Sequence, residues 1–179
     1  ETNIPVFDNP RSAIAESFRS LRTNLQYIVP ENKSKVIAIT STMSGEGKTF
    51  CAVNLAAIIA MANKKVALVG FDMRKPKLSD SFPDIDHKIG VSSFLIGREE
   101  LESIIKPTHI ENLSLLPAGP VPPNPAELIE LDKMKDLMAH LRNNFDFVII
   151  DTPPLGLVTD SLLLSRYADI NIFTIRHNY

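Results

Sequence analysis

One stretch of this chain, residues 36 to 63, constrains the fold more than any other, because an apolar strand pattern there runs through a short loop into an apolar helix pattern. The loop ends in Gly45-Glu46-Gly47-Lys48-Thr49. Glycines let successive backbone N–H groups converge on phosphate oxygens, and the N-terminus of the following helix adds partial positive charge. The stretch therefore predicts a loop that binds the phosphates of a nucleotide.

The residue types in this loop suggest separate roles. Lys48 is expected to reach the β- and γ-phosphates, and Thr49 is expected to present its hydroxyl to Mg²⁺. The remaining residues of the expected nucleotide-binding set are Ser44, Gly45, Glu46, Gly47 and Phe50.

The loop matches the phosphate-loop pattern incompletely, but two alternatives, an ordinary strand-to-helix turn and a dinucleotide-binding turn, fit it less well. The pattern G-x-x-x-x-G-K-[ST] would place its first glycine at Thr42, so the match is incomplete. An ordinary strand-to-helix turn with a surface lysine nevertheless leaves Gly45, Gly47 and the Lys-Thr pair unexplained. A dinucleotide-binding turn would need a third glycine where Phe50 stands.

Strand and helix patterns alternate along the rest of the chain. Strands are predicted at residues 35–40, 65–70, 113–116, 147–150 and 170–175, and helices at 50–63, 91–95, 99–105, 125–142 and 155–166. A first helix is predicted to start at a cap on Asp8 or Asn9, with Pro10 in its first turn, and to end near Ile28. This order predicts a three-layer α/β fold of the P-loop NTPase type, with a mostly parallel central sheet and helices on both faces.

Length and composition restrict the remaining possibilities. With 179 residues, 44% of them apolar, we expect a single domain, residues 1–179. A net charge of −2 gives no reason to expect a nucleic-acid partner. Cys51 is the sole cysteine, which excludes a disulfide within the chain, and we expect it to be a small core residue. No apolar run reaches the roughly 18 residues of a membrane span.

Two aspartates follow predicted strands and are candidates for chemistry. Asp72 follows the second strand, Asp151 follows the fourth, and ligands of parallel sheets bind beyond the carboxyl ends of the strands. A carboxylate there can hold Mg²⁺ against phosphates, although either aspartate could instead cap the next turn. Arg74 and the following lysines could bind phosphates or form a solvated loop. Asp160 could lie near the site or cap a helix.

Five motifs in order carry a resemblance to a known family. They are Glu16-Ser17-Phe18-Arg19-Ser20-Leu21-Arg22, the loop ending Gly45-Glu46-Gly47-Lys48-Thr49, Asp72-Met73-Arg74-Lys75-Pro76, Pro122-Pro123-Asn124-Pro125-Ala126-Glu127-Leu128, and Asp151-Thr152-Pro153-Pro154. Together they span almost the whole chain, which resembles the cytoplasmic kinase domain of bacterial tyrosine kinases that regulate capsule or exopolysaccharide synthesis and export.

The resemblance implies an activity and a set of roles. It implies a tyrosine autokinase that uses Mg-ATP and releases ADP, with Lys48, Asp72 and Asp151 as catalytic residues and Thr49, Asp72 and Asp151 at the metal. The sequence does not decide whether Asp72 orients or deprotonates the tyrosine hydroxyl or helps to hold the metal.

The resemblance also implies partners and a location. It implies an N-terminal helix within residues 1–30 for self-association, through Glu16, Arg19 and Arg22, and a nucleotide-binding core at residues 31–179. Self-association would bring the tyrosine-rich tail of a neighbouring subunit to the site. The spacing i, i+3, i+6 equally suits a solvated, salt-bridged helix face. A membrane activator, or a fused polysaccharide chain-length protein, would place the domain at the cytoplasmic face of the bacterial cell membrane.

Two features depart from the family pattern. The family shows Asp-x-Asp after the second strand, and here the first of these positions is Gly70. The family also carries a tyrosine-rich tail, which we expect to lie outside this sequence. Of the three tyrosines, Tyr27 and Tyr167 are expected to pack in helices, and Tyr179 is terminal.

Two other classes of protein remain as alternatives. Partition and septum-placement ATPases share the predicted fold, but they carry a lysine near the start of the phosphate loop, where this chain has Met43. A nucleotide-binding scaffold that transfers little phosphate is compatible with Gly70. Transfer of phosphate to tyrosine distinguishes the kinase from both.

Overall fold

The computed structural model describes residues 4–28, 34–156 and 158–176. Eight α-helices and six strands occur in these ranges. In chain order they are α1 (Pro5–Asp8), α2 (Ala13–Ile28), β1 (Lys35–Ser41), α3 (Lys48–Ala60), β2 (Val66–Gly70), α4 (Val91–Leu95), α5 (Leu101–Ile104), β3 (Lys106–Pro107), β4 (Leu113–Leu116), α6 (Pro125–Ile129), α7 (Asp132–Asn144), β5 (Phe147–Asp151), α8 (Asp160–Ser165) and β6 (Ile170–Thr174).

The strands form one sheet in the order β3-β4-β2-β5-β1-β6. All neighbouring pairs are parallel except β3 with β4, a two-residue antiparallel edge that the sequence pattern does not predict. In this order β5 lies between β1 and β2, so Asp151 is in register with Ile39 on one side and Gly70 on the other. The carboxyl ends of the three strands that carry the candidate site residues are therefore adjacent.

Two hydrophobic cores lie on opposite faces of the sheet. Ile37 and Ile39 of β1 pack in the core that includes α1, α2 and α3, while Val36 and Ala38 pack in the core that includes α4 to α8. This alternation has the period of two that a strand requires. The predicted three-layer α/β fold with a mostly parallel sheet is confirmed.

Several predicted helix boundaries are wrong, including the end of the predicted helix 50–63, which the structure places at Ala60. The first long helix starts at Ala13, because the Ser12 hydroxyl, and not Asp8 or Asn9, accepts the Ala15 N–H at 3.1 Å. The predicted helix 125–142 is divided into α6 and α7, since Leu131 has extended backbone angles. The predicted helix 155–166 begins only at Asp160.

The predictions for individual side chains have mixed outcomes. Tyr27 is 85% exposed, so its predicted packing role is wrong, whereas Tyr167 packs against the core of α4 to α8. Cys51 is half-buried at the edge of the other core. Tyr179 lies outside the described residues. Within the described ranges, no helix combines the length and the apolar character needed to cross a bilayer.

Candidate functional site

The phosphate loop turns twice through left-handed backbone conformations. Gly45 has φ 92° and Gly47 has φ 88°, a region that residues with a Cβ rarely adopt. A Cβ added at either position would contact nothing within 4 Å. Backbone angles alone, rather than crowding within the chain, therefore require glycine at these two positions.

Side chains of the loop residues stabilise its shape. The Ser41 hydroxyl donates to the Met43 carbonyl at 2.7 Å, and the Met43 N–H donates to Glu46 Oε2 at 2.8 Å. Glu46, expected among the nucleotide-binding residues, thus uses its carboxylate to hold the loop. The Met43 side chain is 56% exposed.

Four side chains meet where the loop faces the ends of β2 and β5. Lys48 Nζ lies 2.8 Å from Asp72 Oδ2 and 3.9 Å from Asp151 Oδ1. The Thr49 hydroxyl donates to Asp151 Oδ2 at 2.9 Å. Lys48, Asp72 and Asp151 are all buried, so these charges interact with little screening by water. The sequence-predicted catalytic and metal residues are brought together in this cluster.

The two carboxylates have different surroundings. Asp72 Oδ2 accepts a hydrogen bond from Lys48, and its Oδ1 accepts the Lys75 N–H at 3.0 Å. Asp151 Oδ1 accepts no hydrogen bond from the residues that the structure describes. Burial raises the pKa of Asp151 to about 6, although the Lys48 charge and the Thr49 hydrogen bond act in the opposite direction. Asp151 is therefore the carboxylate with an oxygen that accepts no hydrogen bond in the described part of the chain and has the Lys48 ammonium only at 3.9 Å.

This arrangement suits Mg²⁺ completed by phosphate and water. Mg²⁺ keeps several waters and is held in proteins by one or two carboxylates together with phosphate oxygens. The free oxygen of Asp151 and the adjacent Thr49 hydroxyl meet that requirement. Among the described residues no group of three or more His, Cys, Asp and Glu could hold a metal by itself.

A cavity of about 210 Å³ lies beside this cluster and is lined by Lys48, Thr49 and Asp72, whereas Asp151 is not among its lining residues. Six of the seven expected nucleotide-binding residues line it, the exception being Glu46, and they are joined by Asp72, Lys75 and Lys77. Phe50 is 43% exposed and contacts the Phe18 ring edge-on, with 6.1 Å between ring centroids. A larger cavity, about 820 Å³, lies at the opposite ends of the strands and includes none of the predicted site residues.

Two further residues lie in the site region: Gly156, which the sequence pattern does not single out, and Asp160, for which the sequence left a place near the site or a helix cap open. Gly156 approaches the phosphate loop so closely that an added Cβ would lie 2.6 Å from the Thr42 carbonyl oxygen, and its N–H donates to that oxygen at 3.1 Å. Asp160 is 1% exposed and accepts two hydrogen bonds from Arg74, at 2.9 and 3.1 Å. The sequence shows an aspartate at position 160, after Val158 and Thr159, but it does not reveal that Arg74 is the partner of this aspartate.

Arg74 is paired with a buried carboxylate, and Gly70 lies in a closely packed position. The hydrogen bond to Asp160 raises the pKa of Arg74, whose guanidinium is thus engaged by a carboxylate rather than merely solvated. At Gly70 an added Cβ would lie 3.1 Å from both the Ala118 nitrogen and Leu78 Cδ1. A longer side chain at Gly70 therefore requires its neighbours to shift.

Cys51 is a half-buried free thiol at the start of α3. Burial, and after it the charge of Asp151, raises the pKa of the Cys51 thiol. The helix N-terminus therefore does not activate it as a nucleophile.

A mostly parallel sheet with a glycine-containing phosphate loop after β1, and carboxylates at the ends of the adjacent β2 and β5, defines a P-loop NTPase. The family described as the AAA domain matches residues 34–179. The tyrosine-protein kinase YwqD of Bacillus subtilis is 35% identical over 175 residues, which cover 98% of this chain and 73% of YwqD. The chain belongs to the bacterial tyrosine kinases of this AAA domain family.

Solved structures agree with this assignment. The kinase domain of the Escherichia coli tyrosine kinase ETK superposes with a TM-score of 0.91 at 32% identity, covering 96% of this chain and 67% of that domain. The chimerical protein CapA2B2 also has a TM-score of 0.91, at 38% identity, covering 97% of this chain and 76% of the chimera.

A more distant structural neighbour was solved with a nucleotide bound. The septum site-determining protein MinD of Pyrococcus horikoshii, solved in complex with Mg-ADP, has a TM-score of 0.68 at 28% identity, covering 79% of this chain and 57% of MinD. The two kinase-related structures cover more of this chain, with higher TM-scores and higher sequence identity, than MinD does, which disfavours the septum-placement alternative.

Proposed function

We propose that this chain is a Mg-ATP-dependent protein-tyrosine autokinase whose reaction takes place at the Lys48–Asp72–Asp151 cluster. The observation that carries the proposal is the burial of one lysine between two strand-end carboxylates, directly beside a phosphate loop. Membership of the bacterial tyrosine kinases supports tyrosine as the acceptor. The reaction is transfer of the γ-phosphoryl group of ATP to a tyrosine hydroxyl, with ADP as the other product.

The phosphate loop binds the donor. Backbone N–H groups of residues 44–50 and the N-terminus of α3 would contact the phosphates, because backbone N–H groups of a glycine loop that point to one place bind anions. Lys48 would exchange part of its contact with Asp72 for the β- and γ-phosphates when ATP enters the cavity. Its charge then offsets the charge that builds up on the transferring group.

Thr49 and Asp151 are the residues that would hold Mg²⁺. When bound, the ion neutralises phosphate charge and orients the oxygens. The Thr49 hydroxyl and the free oxygen of Asp151 fit this role, whereas both oxygens of Asp72 already accept hydrogen bonds.

Asp72 would serve the acceptor side of the reaction, because Lys48 frees Asp72 Oδ2 when it moves towards the phosphates of ATP. Its carboxylate faces the cavity beside Lys48, where it can accept a hydrogen bond from the incoming tyrosine hydroxyl and take its proton. The alternative is that Asp72 binds the metal directly. An Asp72 variant that needs more Mg²⁺ than the wild type would favour this alternative.

The N-terminal segment, residues 1–30, is proposed to mediate self-association, while residues 31–179 form the nucleotide-binding core. Arg19 is held by Glu16 at 2.9 Å, and Arg22 donates to the Ile58 carbonyl of α3 at 3.1 Å, which orders this face of α2 within one chain. Tyr27 and Ile28 on the same helix are exposed and could be covered by a second copy. We expect Arg19→Ala to lower the sedimentation coefficient of the assembled protein, and an unchanged coefficient would contradict this role.

The biological setting is likewise a proposal, supported by the similarity to tyrosine kinases of this family. The chain would act in capsule or exopolysaccharide synthesis and export at the cytoplasmic face of the cell membrane. Its partners would be the tyrosine-rich tail of a neighbouring subunit and a membrane activator or fused chain-length protein.

Phosphoamino-acid analysis tests the proposed activity. The chain and a tyrosine-rich acceptor peptide are incubated together with Mg²⁺ and ATP labelled on its γ-phosphate, and the label is then assigned to tyrosine, serine, threonine or free phosphate. We expect label on tyrosine in the wild type and in Lys135→Ala, a variant at an exposed lysine, and none in Lys48→Ala. Label found only as free phosphate would overturn the kinase proposal in favour of an ATPase or a scaffold.

A further inference from the structure

The ion pair between Arg74 and Asp160 joins the loop that follows β2 to the first residue of α8. Arg74 Nε donates to Asp160 Oδ2 at 2.9 Å, and Nη2 donates to Oδ1 at 3.1 Å. The Asp160 side chain is 2% exposed and that of Arg74 is 43% exposed. Two parallel hydrogen bonds fix the plane of the guanidinium as well as its distance. This pair is therefore more restrictive than a surface contact between a flexible lysine and a carboxylate.

The Arg74 end of the pair lies in the loop that carries Asp72. The Lys75 N–H donates to Asp72 Oδ1 at 3.0 Å, and the N–H groups of Phe71 and Asp72 both donate to the Asp151 carbonyl, at 2.9 and 3.1 Å. The loop is thus attached to β5 before Asp72 and to Asp160 after it.

The Asp160 end belongs to the segment that follows β5 and touches the phosphate loop. The Leu155 N–H donates to the Ser41 carbonyl at 2.8 Å, and the Gly156 N–H donates to the Thr42 carbonyl at 3.1 Å. The Arg74–Asp160 bond therefore connects the Asp72 loop with a segment that is itself hydrogen-bonded to the start of the phosphate loop.

We propose that Arg74 and Asp160 are a positioning pair that holds Asp72 at its place over the phosphate loop, and that neither residue contacts the nucleotide or the acceptor. The inference rests on the proposed kinase function and identifies residues that set its rate. Lys75 and Lys77 line the cavity and are available to anions, whereas the fork of Arg74 is occupied by Asp160. A displacement of about 1 Å in a reacting group lowers rates by about 10²-fold.

Three variants and one control separate positioning from general stability. Arg74→Lys keeps the charge but loses the fork, Asp160→Asn keeps the shape but loses the charge, and the double variant Arg74→Gln/Asp160→Asn leaves no buried carboxylate unpaired. The control is Arg142→Lys, because Arg142 also donates two hydrogen bonds to one carboxylate, from Nη1 and Nη2 to Asp169 at 2.9 and 3.0 Å, near the opposite ends of the strands.

We expect each single variant to lower kcat of the full-length protein by about 10- to 100-fold, as the loss of a supporting hydrogen bond does. The KM for ATP and the Kd for Mg-ATP should stay near the wild-type values. The double variant should be no worse than the more severe single variant, and Arg142→Lys should keep kcat. A loss of ATP affinity in proportion to kcat would instead show that Arg74 contacts the nucleotide, and an unchanged kcat in Arg74→Lys would also overturn the proposal.

Hydrogen–deuterium exchange provides a readout that does not require catalysis. We expect faster amide exchange in residues 71–78 of Arg74→Lys, and wild-type exchange there in Arg142→Lys. If the wild type transfers no phosphate to tyrosine, the kinase proposal fails while the exchange result still decides the positioning role. Wild-type exchange in residues 71–78 of Arg74→Lys would contradict that role.

Discussion

Lys48 Nζ and Asp72 Oδ2 lie 2.8 Å apart in a buried ion pair, with Asp151 Oδ1 at 3.9 Å from the same nitrogen. The lysine of the phosphate loop is thereby turned towards the strand ends rather than towards solvent. Two carboxylates share one cation in a region of low dielectric constant, where an unpaired charge is costly. The cluster is therefore stable only while its positive charge is present.

The first prediction concerns the stability of this cluster. Lys48→Met leaves Asp72 and Asp151 buried without their cation, so we expect the free energy of unfolding at pH 7.5 to fall by about 3 kcal/mol or more. Urea unfolding measures the difference. Lys135→Met, which removes a lysine from the exposed pair with Asp132 at 2.8 Å, should leave the urea midpoint nearly unchanged. Equal midpoints for the two variants would contradict this.

The second prediction concerns pH. Asp151 has a pKa of about 6 in the folded chain and an ordinary value of 3.8, so the unfolded chain loses this proton first as the pH rises. The contribution of Asp151 to stability is therefore fully present below pH 3.8 and is lost as the pH rises through about 6.

Asp151→Asn removes this dependence. We expect the unfolding free energy of the variant minus that of the wild type to increase by about 2 kcal/mol between pH 4 and pH 6.5, and then to level off. Denaturant unfolding at a series of pH values measures it. Asp132→Asn should show the opposite slope, because the hydrogen bond from Lys135 lowers the pKa of Asp132. A flat or falling difference for Asp151→Asn would exclude the raised pKa.

The third prediction concerns magnesium. Thr49→Val removes the hydroxyl next to Asp151 with little change of shape, so we expect the Mg²⁺ concentration for half-maximal ATP binding to rise by about tenfold or more. Thr49→Ser retains the hydroxyl and should stay near the wild type. Calorimetric titration of ATP at several Mg²⁺ concentrations distinguishes them, and equal Mg²⁺ requirements for Val and Ser would remove Thr49 from the proposed metal site.

The fourth prediction concerns the contact of Gly156 with the phosphate loop. A methyl group at this position would lie 2.6 Å from the Thr42 carbonyl oxygen, so Gly156→Ala must displace the loop. We expect a loss of about 1–3 kcal/mol in stability together with weaker Mg-ATP binding.

Gly97→Ala is the matched control for this prediction. Gly97 has φ 77°, and a Cβ there would meet only the flexible end of Lys133, at 3.4 Å or more. Alanine at Gly97 should therefore reduce stability through backbone strain without changing ATP affinity. If Gly156→Ala binds Mg-ATP as the wild type does, the proposed support of the loop is incorrect.

The sheet and the four-residue cluster could be predicted from the sequence because both depend on short, local patterns. Apolar runs that lead into the glycine loop, Asp72 and Asp151 mark strands whose carboxyl ends lie at one edge of a parallel sheet. The division between α6 and α7 could not be predicted, since the helix pattern continues through the extended Leu131. Tertiary packing, not propensity, decides that break.

Contacts between residues far apart in the sequence could not be predicted, for a different reason. Arg74 and Asp160 are 86 residues apart, and each on its own also fits an exposed loop or a helix cap. Gly156 likewise looks like an ordinary turn glycine until Thr42 is found beside it. Such contacts follow from the order of the strands in the sheet, which a single sequence does not specify uniquely.

The most direct test of the central claim is the single-turnover rate of phosphotyrosine formation by Asp72→Asn at saturating Mg-ATP. If Asp72 serves the acceptor hydroxyl beside Lys48, the rate in the full-length chain should fall by about 10²-fold or more while the Kd for Mg-ATP and the Mg²⁺ requirement stay near wild type. A wild-type rate of phosphotyrosine formation in Asp72→Asn would contradict the account.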